Sequence, residues 1–138
     1  MIRSLRKHLR SWLARRPDPL RQRLGRQSER LAARLLASQG YEVERTNVRF
    51  PVGEIDVVAW EEGVLCFIEV RSTHGSRWGG PLASITERKQ RRLIRAARWY
   101  LSRVPPPIPE TRFDVVGIEW SASGEPRVEL VRGAFDAS

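Results

Sequence analysis

The chain has 138 residues, of which 41% are hydrophobic and 30% charged, a length and balance typical of one globular domain. This composition excludes a wholly disordered chain, and the single cysteine, Cys66, excludes an internal disulfide and a cysteine-rich zinc site. No apolar run approaches the roughly 20 residues that a membrane helix requires, so we do not expect an integral membrane protein. The lone thiol and the absence of a recognisable secretory signal favour a cytoplasmic location.

The formal net charge of +9 is concentrated in two segments. Residues 1–26 carry a net charge of +8 and residues 86–103 carry +6, which leaves −5 for the remainder. Two basic segments beside a mildly acidic body attract a polyanion, most often a nucleic acid and less often an anionic membrane. Nucleic acid is therefore the expected partner.

The first predicted element is basic. Residues 1–16 place apolar side chains at helical spacing opposite arginine and lysine, and Pro17 and Pro19 close the segment. This pattern predicts a short amphipathic helix that contacts DNA or a membrane surface, or else a loosely ordered arm. We separate a basic arm at residues 1–19 from a single domain at residues 20–138.

The domain alternates helical and β-rich patterns. The spacing predicts a helix over 20–39, strands over 41–50, 54–60 and 64–71, a glycine-rich loop over 72–81, a helix from a Thr86 cap to about residue 103, and strands over 112–120 and 127–132. The order is α-β-β-β-α-β-β. Because a helix separates the third and fourth strands, these two should be parallel within a mixed five-stranded sheet of an α/β fold.

The second and third predicted strands carry acidic side chains where strands usually bury apolar ones. A two-residue turn at Glu62-Gly63 places Asp56 directly across from Glu69, with both side chains on one face. Like charges so placed repel unless a cation lies between them, and such oxygen ligands suit Mg²⁺ or Mn²⁺. A register slip of one residue would separate the two carboxylates. The alternative is a solvent-facing hairpin decorated with charges.

Two further residues are candidates for the same site. Arg71 lies two residues beyond Glu69 on the same face, where a cation could orient a water or stabilise a phosphorane-like transition state. Glu29 lies at the edge of the apolar stripe of the first helix, which could deliver it to the same metal ion.

The second predicted helix begins with basic residues, and cations and backbone N–H groups at a helix start favour phosphate. The alternative is an ordinary solvated helix face. Trp60, Trp78 and Trp99 could stack on unpaired bases, although Trp99 also fits the core. The candidates for binding the nucleic-acid backbone are Arg88, Lys89, Gln90, Arg92 and Arg95.

Five spaced motifs run in order along most of the chain: Arg26–Ala32, Asn47–Phe50 followed by Gly53–Asp56, Phe67–Arg71, Thr86–Gln90 and Arg112–Val116. Together they resemble the YraN-like family of small bacterial proteins, which are predicted nucleases. That family is similar to the restriction-endonuclease-like superfamily and, within it, to archaeal Holliday junction resolvases.

The resemblance implies a restriction-endonuclease-like core in which Asp56 and Glu69 are metal ligands and Glu29 is an additional acidic ligand. Arg71 stands where the superfamily has its active-site lysine, and Glu54 belongs to the family motif as a supporting residue. The implied activity is a metal-dependent DNA endonuclease, using Mg²⁺ or Mn²⁺, that acts on branched or single-stranded DNA. The likeness to resolvases also implies DNA rather than RNA, and a homodimer, because two cuts need two sites.

The chain departs from the family pattern at Arg71. A lysine can lose a proton and help to activate water, whereas an arginine effectively cannot. The alternative to a working endonuclease is therefore a catalytically inactive nucleic-acid-binding accessory module. The chain has 23 arginines and only 2 lysines, so the substitution also fits a general drift toward arginine.

Overall fold

The computed structural model describes residues 19–74, 80 and 85–137. Within these residues two helices and five strands follow one another in the predicted order. The elements are α1 (Pro19–Ser38), β1 (Glu42–Phe50), β2 (Gly53–Glu61), β3 (Val64–His74), α2 (Glu87–Leu101), β4 (Thr111–Trp120) and β5 (Arg127–Phe135).

The five strands form one sheet in the order β1-β2-β3-β4-β5. β3 and β4 are parallel, and the other neighbouring strands are antiparallel. The α/β class, the mixed five-stranded sheet and the parallel pair on either side of the second helix are thus confirmed.

Most strand bounds agree with the prediction to within one residue, but β3 and β5 each extend three residues further. Ser72–His74, predicted to begin a loop, are the last residues of β3, because their backbone continues the parallel ladder against Ile118–Trp120. His74 is therefore a strand residue. β5 likewise continues beyond residue 132 to Phe135, which pairs with Phe113. The predicted arm lies outside the described residues except for Pro19, which begins α1, and Trp78 also lies outside them.

The two helices pack on opposite faces of the sheet. Side chains alternate along a strand, so the neighbours Phe67 and Ile68 of β3 point to different sides. Ile68 belongs to a buried cluster with Ala32 and Leu36 of α1, whereas Phe67 belongs to a second cluster with α2. The sheet therefore has an α1 face and an α2 face, and each is closed by one amphipathic helix.

The α1 face contains a polar network around the buried side chains of Asp114 and Tyr41, which we call the internal network: Tyr41, Glu61, Arg112, Asp114 and Arg132. The Asp114 carboxylate has no exposed surface, and it accepts hydrogen bonds from Arg112 Nε at 2.8 Å, Tyr41 Oη at 2.7 Å and the Gly133 backbone N–H at 2.9 Å. Glu61 accepts bonds at 2.8 Å from both Arg112 and Arg132. Each carboxylate is thus paired and hydrogen-bonded, as a buried charge requires.

Candidate active site

The β2–β3 hairpin has the register that the sequence predicted. Glu62 and Gly63 both have positive φ, at 48° and 80°, the conformation of a two-residue type I′ turn. The pairing runs in one register from Glu61↔Val64 to Val57↔Ile68, and Asp56 and Glu69 are the residues that directly follow the last pair on the two strands. Their side chains line the same cleft and interact with each other. The slip that would have separated the two carboxylates does not occur.

The two carboxylates lie in a cleft between the hairpin and the first turns of α2. The cleft is lined by Glu54, Asp56, Glu69, Arg71, Lys89, Arg92 and Leu93. Gly53 allows the hairpin to approach α2 closely, because a Cβ at that position would lie 3.2 Å from the Arg92 carbonyl oxygen and 3.6 Å from Ala96 Cβ. A larger residue would push the strand that carries Asp56 away from the helix that carries Lys89.

The two carboxylates perturb each other. Burial raises the pKa of Asp56 well above its usual value, and the negative charge of Glu69 raises it further. Burial also raises the pKa of Glu69. One backbone bond, from Val70 N–H to Asp56 Oδ2 at 2.8 Å, favours the charged form. A pair of this kind is stabilised by a cation placed between the two carboxyl groups.

Two basic side chains line the same cleft without a close ion pair to the carboxylates. The Arg71 guanidinium lies 3.9 Å from Glu69, and among the described residues its buried Nε has no hydrogen-bond partner. Lys89 lines the wall formed by α2, and burial together with the charge of Arg71 lowers its pKa. In the described part of the chain, Arg71 therefore has one donor, its Nε–H, that the protein itself does not use.

The donor set fits a hard divalent cation that shares its coordination with other ligands. Mg²⁺ is usually held by one or two carboxylates plus water and substrate phosphate oxygens. Asp56 and Glu69 supply two such carboxylates on adjacent strands. Among residues 19–74, 80 and 85–137, no group of three or more His, Cys, Asp or Glu side chains could hold a metal ion without other ligands.

Glu29 does not line the cleft. Its carboxylate accepts a hydrogen bond of 3.1 Å from the Asn47 side-chain amide on β1. The pairs Thr46↔Val57 and Val48↔Ile55 flank Asn47 and Asp56, so Asn47 occupies the strand position beside Asp56. The structure thus links Glu29 to the neighbourhood of Asp56 through Asn47, and its role as a metal ligand stays a prediction.

The residues predicted to bind nucleic acid on α2 differ in their surroundings. Arg88, Arg92 and Arg95 are exposed, and Arg92 also borders the cleft. Gln90 is half-buried, and its side chain donates to the Ile85 carbonyl oxygen at 3.2 Å, so it helps to anchor the segment before the helix. Thr86 caps α2 as predicted and accepts from the Lys89 backbone N–H at 3.3 Å.

Sequence reasoning did not place Lys89 beside the carboxylates and gave no role to Asn47. Lys89 was expected to bind the nucleic-acid backbone, with a solvated helix face as the alternative, because helix periodicity does not show how closely a helix approaches the sheet. Gly53, a glycine within a strand pattern, was the available signal, since such a glycine often marks a close backbone approach. Asn47 has a positive φ of 52°, which nothing in the linear pattern indicates.

The geometry can be set beside known proteins. The model of the uncharacterised protein family UPF0102 matches residues 28–118, which include both acidic strands and α2. The chain belongs to UPF0102. This is the YraN-like group that the spaced motifs indicated, so that prediction is confirmed.

The chain is similar to UPF0102 proteins of several bacteria. It is 44% identical over 115 residues to one from Symbiobacterium thermophilum, which covers 83% of this chain and 98% of the relative. It is 43% identical over 118 residues to one from Desulfosudis oleivorans, covering 86% of this chain and 94% of that protein. In the part of the chain that is described, neither helix is long and apolar enough to cross a membrane.

Proposed function

We propose that this UPF0102 protein is a metal-dependent DNA endonuclease whose active site is the cleft between the β2–β3 hairpin and α2. The observation that carries this proposal is the opposition of Asp56 and Glu69 across two strands, at a cleft where Lys89 and Arg92 form the facing wall. Acidic and basic groups together suit a phosphodiester, because the acids hold a cation and the bases attract the phosphate.

Asp56 and Glu69 would hold Mg²⁺ or Mn²⁺. Burial raises the pKa of both carboxyls, and the charge of Glu69 raises that of Asp56 further, so a cation between them would offset an unfavourable arrangement of charge. A divalent cation bound there would supply a water of lowered pKa and offset negative charge at the phosphate. In the net hydrolysis, a water oxygen bonds to phosphorus, the bond to the leaving oxygen breaks, and that oxygen takes up a proton.

Arg71 and Lys89 would stabilise the negative charge that develops on the phosphate oxygens. The unused Nε–H of Arg71 is a donor already within the cleft, and it needs no rearrangement of a competing internal bond. Glu54 also lines the cleft, 3.7 Å from Arg49, and its negative charge contributes to the raised pKa values of Asp56 and Glu69.

A second candidate function rests on Arg71. An arginine holds its proton in proteins and cannot act as a base, so the cleft could bind nucleic acid without turnover. The presence of Lys89 favours the working enzyme, because the cleft retains a lysine although β3 does not carry it. If arginine merely slows the reaction, Arg71→Lys should raise the cleavage rate about 10-fold or more.

The test is cleavage of labelled DNA by the full chain, with junction, flap, single-stranded and duplex substrates in Mn²⁺ or in EDTA. We expect cleavage in Mn²⁺ that is lost in EDTA and lost in Asp56→Asn. Glu129→Gln, at an exposed carboxylate of β5 outside the cleft, should cleave like the wild type. Cleavage that Asp56→Asn leaves intact would contradict the proposal, and binding without cleavage would favour the inactive module. The homodimer implied by the resemblance stays a prediction.

A further inference from the structure

One row of side chains on α2 extends beyond the cleft. Arg88, Arg92, Arg95 and Trp99 are spaced i, i+4, i+7 and i+11, so they share one stripe of the helix. The three arginines are exposed, and the stripe continues from Arg92 at the cleft to Trp99 near the end of the helix. At a rise of 1.5 Å per residue, Arg92 and Trp99 are about 10 Å apart along the axis.

Trp99 belongs to a small aromatic surface and not to the core. Its ring is half-buried and does not pack against either buried cluster. It lies 5.9 Å from the Phe50 ring, centroid to centroid, with the two planes tilted by 36°. The prediction that Trp99 fits the core is therefore wrong, because helix periodicity places it on the arginine stripe and not on the Leu93–Ala97 stripe.

An exposed arginine covers this aromatic surface. The guanidinium of Arg103 lies 4.9 Å from the Trp99 ring centroid and 5.8 Å from that of Phe50. A further contact is a hydrogen bond of 3.3 Å from Arg103 to the Trp99 carbonyl oxygen. Cation–π contacts at exposed sites are weak, so a flat aromatic ligand can displace the guanidinium at low cost.

We propose that the stripe from Arg92 to Trp99 is a track for an unpaired DNA strand, and that Trp99 stacks on one of its bases. This rests on the proposed function, and it names single-stranded DNA, or the unpaired arm of a branched substrate, as what the cleft receives. The exposed arginines contact the phosphates, while a base takes the place of the Arg103 guanidinium over Trp99.

Charge and spacing both favour this occupant. The stripe joins three arginines to an aromatic face, and single-strand binding surfaces combine these same two features. Arg92 and Trp99 are about 10 Å apart along the helix axis, so one continuous strand can contact both. A paired duplex keeps its bases inside the stack and could use the arginines but not Trp99.

The experiment measures binding of labelled oligonucleotides by fluorescence anisotropy in EDTA, so that no cleavage intervenes. We expect Trp99→Leu to weaken single-strand binding at least about fivefold and to leave duplex binding unchanged, since stacking on a protein ring requires an unpaired base. Trp99→Phe, which keeps an aromatic face, should restore most of the affinity. The matched control is Trp60→Leu, a half-buried tryptophan on β2 that lines a different surface with Glu42 and Glu44, and it should bind like the wild type.

A second set of oligonucleotides locates the stacked base. Each oligonucleotide carries one abasic nucleotide at a different position. We expect the abasic site to weaken binding by the wild type at one position, and to leave binding by Trp99→Leu unchanged at that position. If the wild type and Trp99→Leu bound single strands with equal affinity, the proposed track would be contradicted. An equal loss of single-strand affinity in Trp99→Leu and Trp60→Leu would also contradict it. If the track fails while Asp56→Asn still abolishes cleavage, the proposed function stands. If the wild type binds no DNA, both fail.

Discussion

The internal network and the cleft use the same kinds of side chain in opposite ways. In the internal network, Asp114 and Glu61 each meet guanidinium groups at 2.8 Å. In the cleft, the nearest guanidinium to Glu69 is 3.9 Å away, although two carboxylates lie opposite each other. One cluster is satisfied by the protein alone. The other has only a long Arg71–Glu69 ion pair and, among the described residues, an Arg71 Nε without a hydrogen-bond partner.

This difference separates a structural role from a functional one. Buried charges that only support the fold are paired, because an uncompensated charge costs several kcal/mol. The cleft keeps an unfavourable pair, Asp56 beside Glu69, whose pKa values are both raised. Perturbed carboxyls in a cleft are typical of sites that bind a ligand. The contacts of the internal network thus support the fold, whereas those of the cleft fit the proposed binding and chemistry.

The largest expected effect is a difference in stability between two matched substitutions, one in each region. Asp114→Asn removes the charge that Arg112 needs and should lower the free energy of unfolding by about 3 kcal/mol. Asp56→Asn removes repulsion from Glu69 and can still accept from Val70 N–H, so stability should be unchanged or raised. Chemical denaturation of both variants in EDTA measures the difference. A loss of stability in Asp56→Asn as large as in Asp114→Asn would mean that the cleft also serves the fold.

A smaller effect separates the arginines of the two regions. Arg92→Ala should weaken binding of single-stranded DNA and lower the slope of log affinity against log salt concentration by about 0.7, the value for one lost phosphate contact on a single strand. Its stability should stay near that of the wild type, because the side chain is exposed. Arg132→Ala should do the reverse, since it loses its bonds to Glu61 and leaves the DNA-binding stripe intact. If Arg132→Ala lowered the salt dependence of DNA binding as much as Arg92→Ala, the two arginines would not have the different roles that the structure indicates.

The smallest effect is in the pH dependence of stability. Hydrogen bonds from Arg132, and then from Arg112, lower the pKa of Glu61, so its contribution is complete above the unfolded pKa near 4.5 and is lost as the pH falls through the folded value. Asp56 has the opposite shift, and its ionisation costs stability above the unfolded pKa near 3.8.

Denaturation between pH 3 and pH 7 in EDTA tests both signs. Glu61→Gln should lose more stability relative to the wild type at pH 7 than at pH 3. Asp56→Asn should become more stable relative to the wild type as the pH rises over the same interval. If both variants change in the same direction, the two carboxyls do not have the opposite environments that the structure gives them.

The sequence was sufficient for the hairpin and its register. Glu62-Gly63 is a strong two-residue turn, and once the turn is set, period-two alternation places Asp56 opposite Glu69 without further information. The parallel pair of β3 and β4 followed from the intervening helix in the same way. These features depend on local spacing, which a single sequence contains.

What the sequence could not supply was contact between distant segments. Tyr41 and Asp114 are 73 positions apart, and no periodicity connects them, although an aspartate within the apolar run Phe113–Val116 signals that a buried partner is needed. Lys89 reaches the cleft only because Gly53 lets α2 approach the hairpin. The stacking surface of Trp99 required the relative placement of α2 and β1.

The central claim is that the cleft keeps Asp56 and Glu69 together for a divalent cation. The most direct test is the unfolding temperature of the wild type and Asp56→Asn over a series of Mn²⁺ concentrations, with Glu129→Gln as the control. A ligand that binds the folded state stabilises it by about 2.7 kcal/mol at 100 times its dissociation constant. We predict a rising unfolding temperature for the wild type and Glu129→Gln, reversed by EDTA, and none for Asp56→Asn. No shift in the wild type, or an equal shift in Asp56→Asn, would contradict the claim.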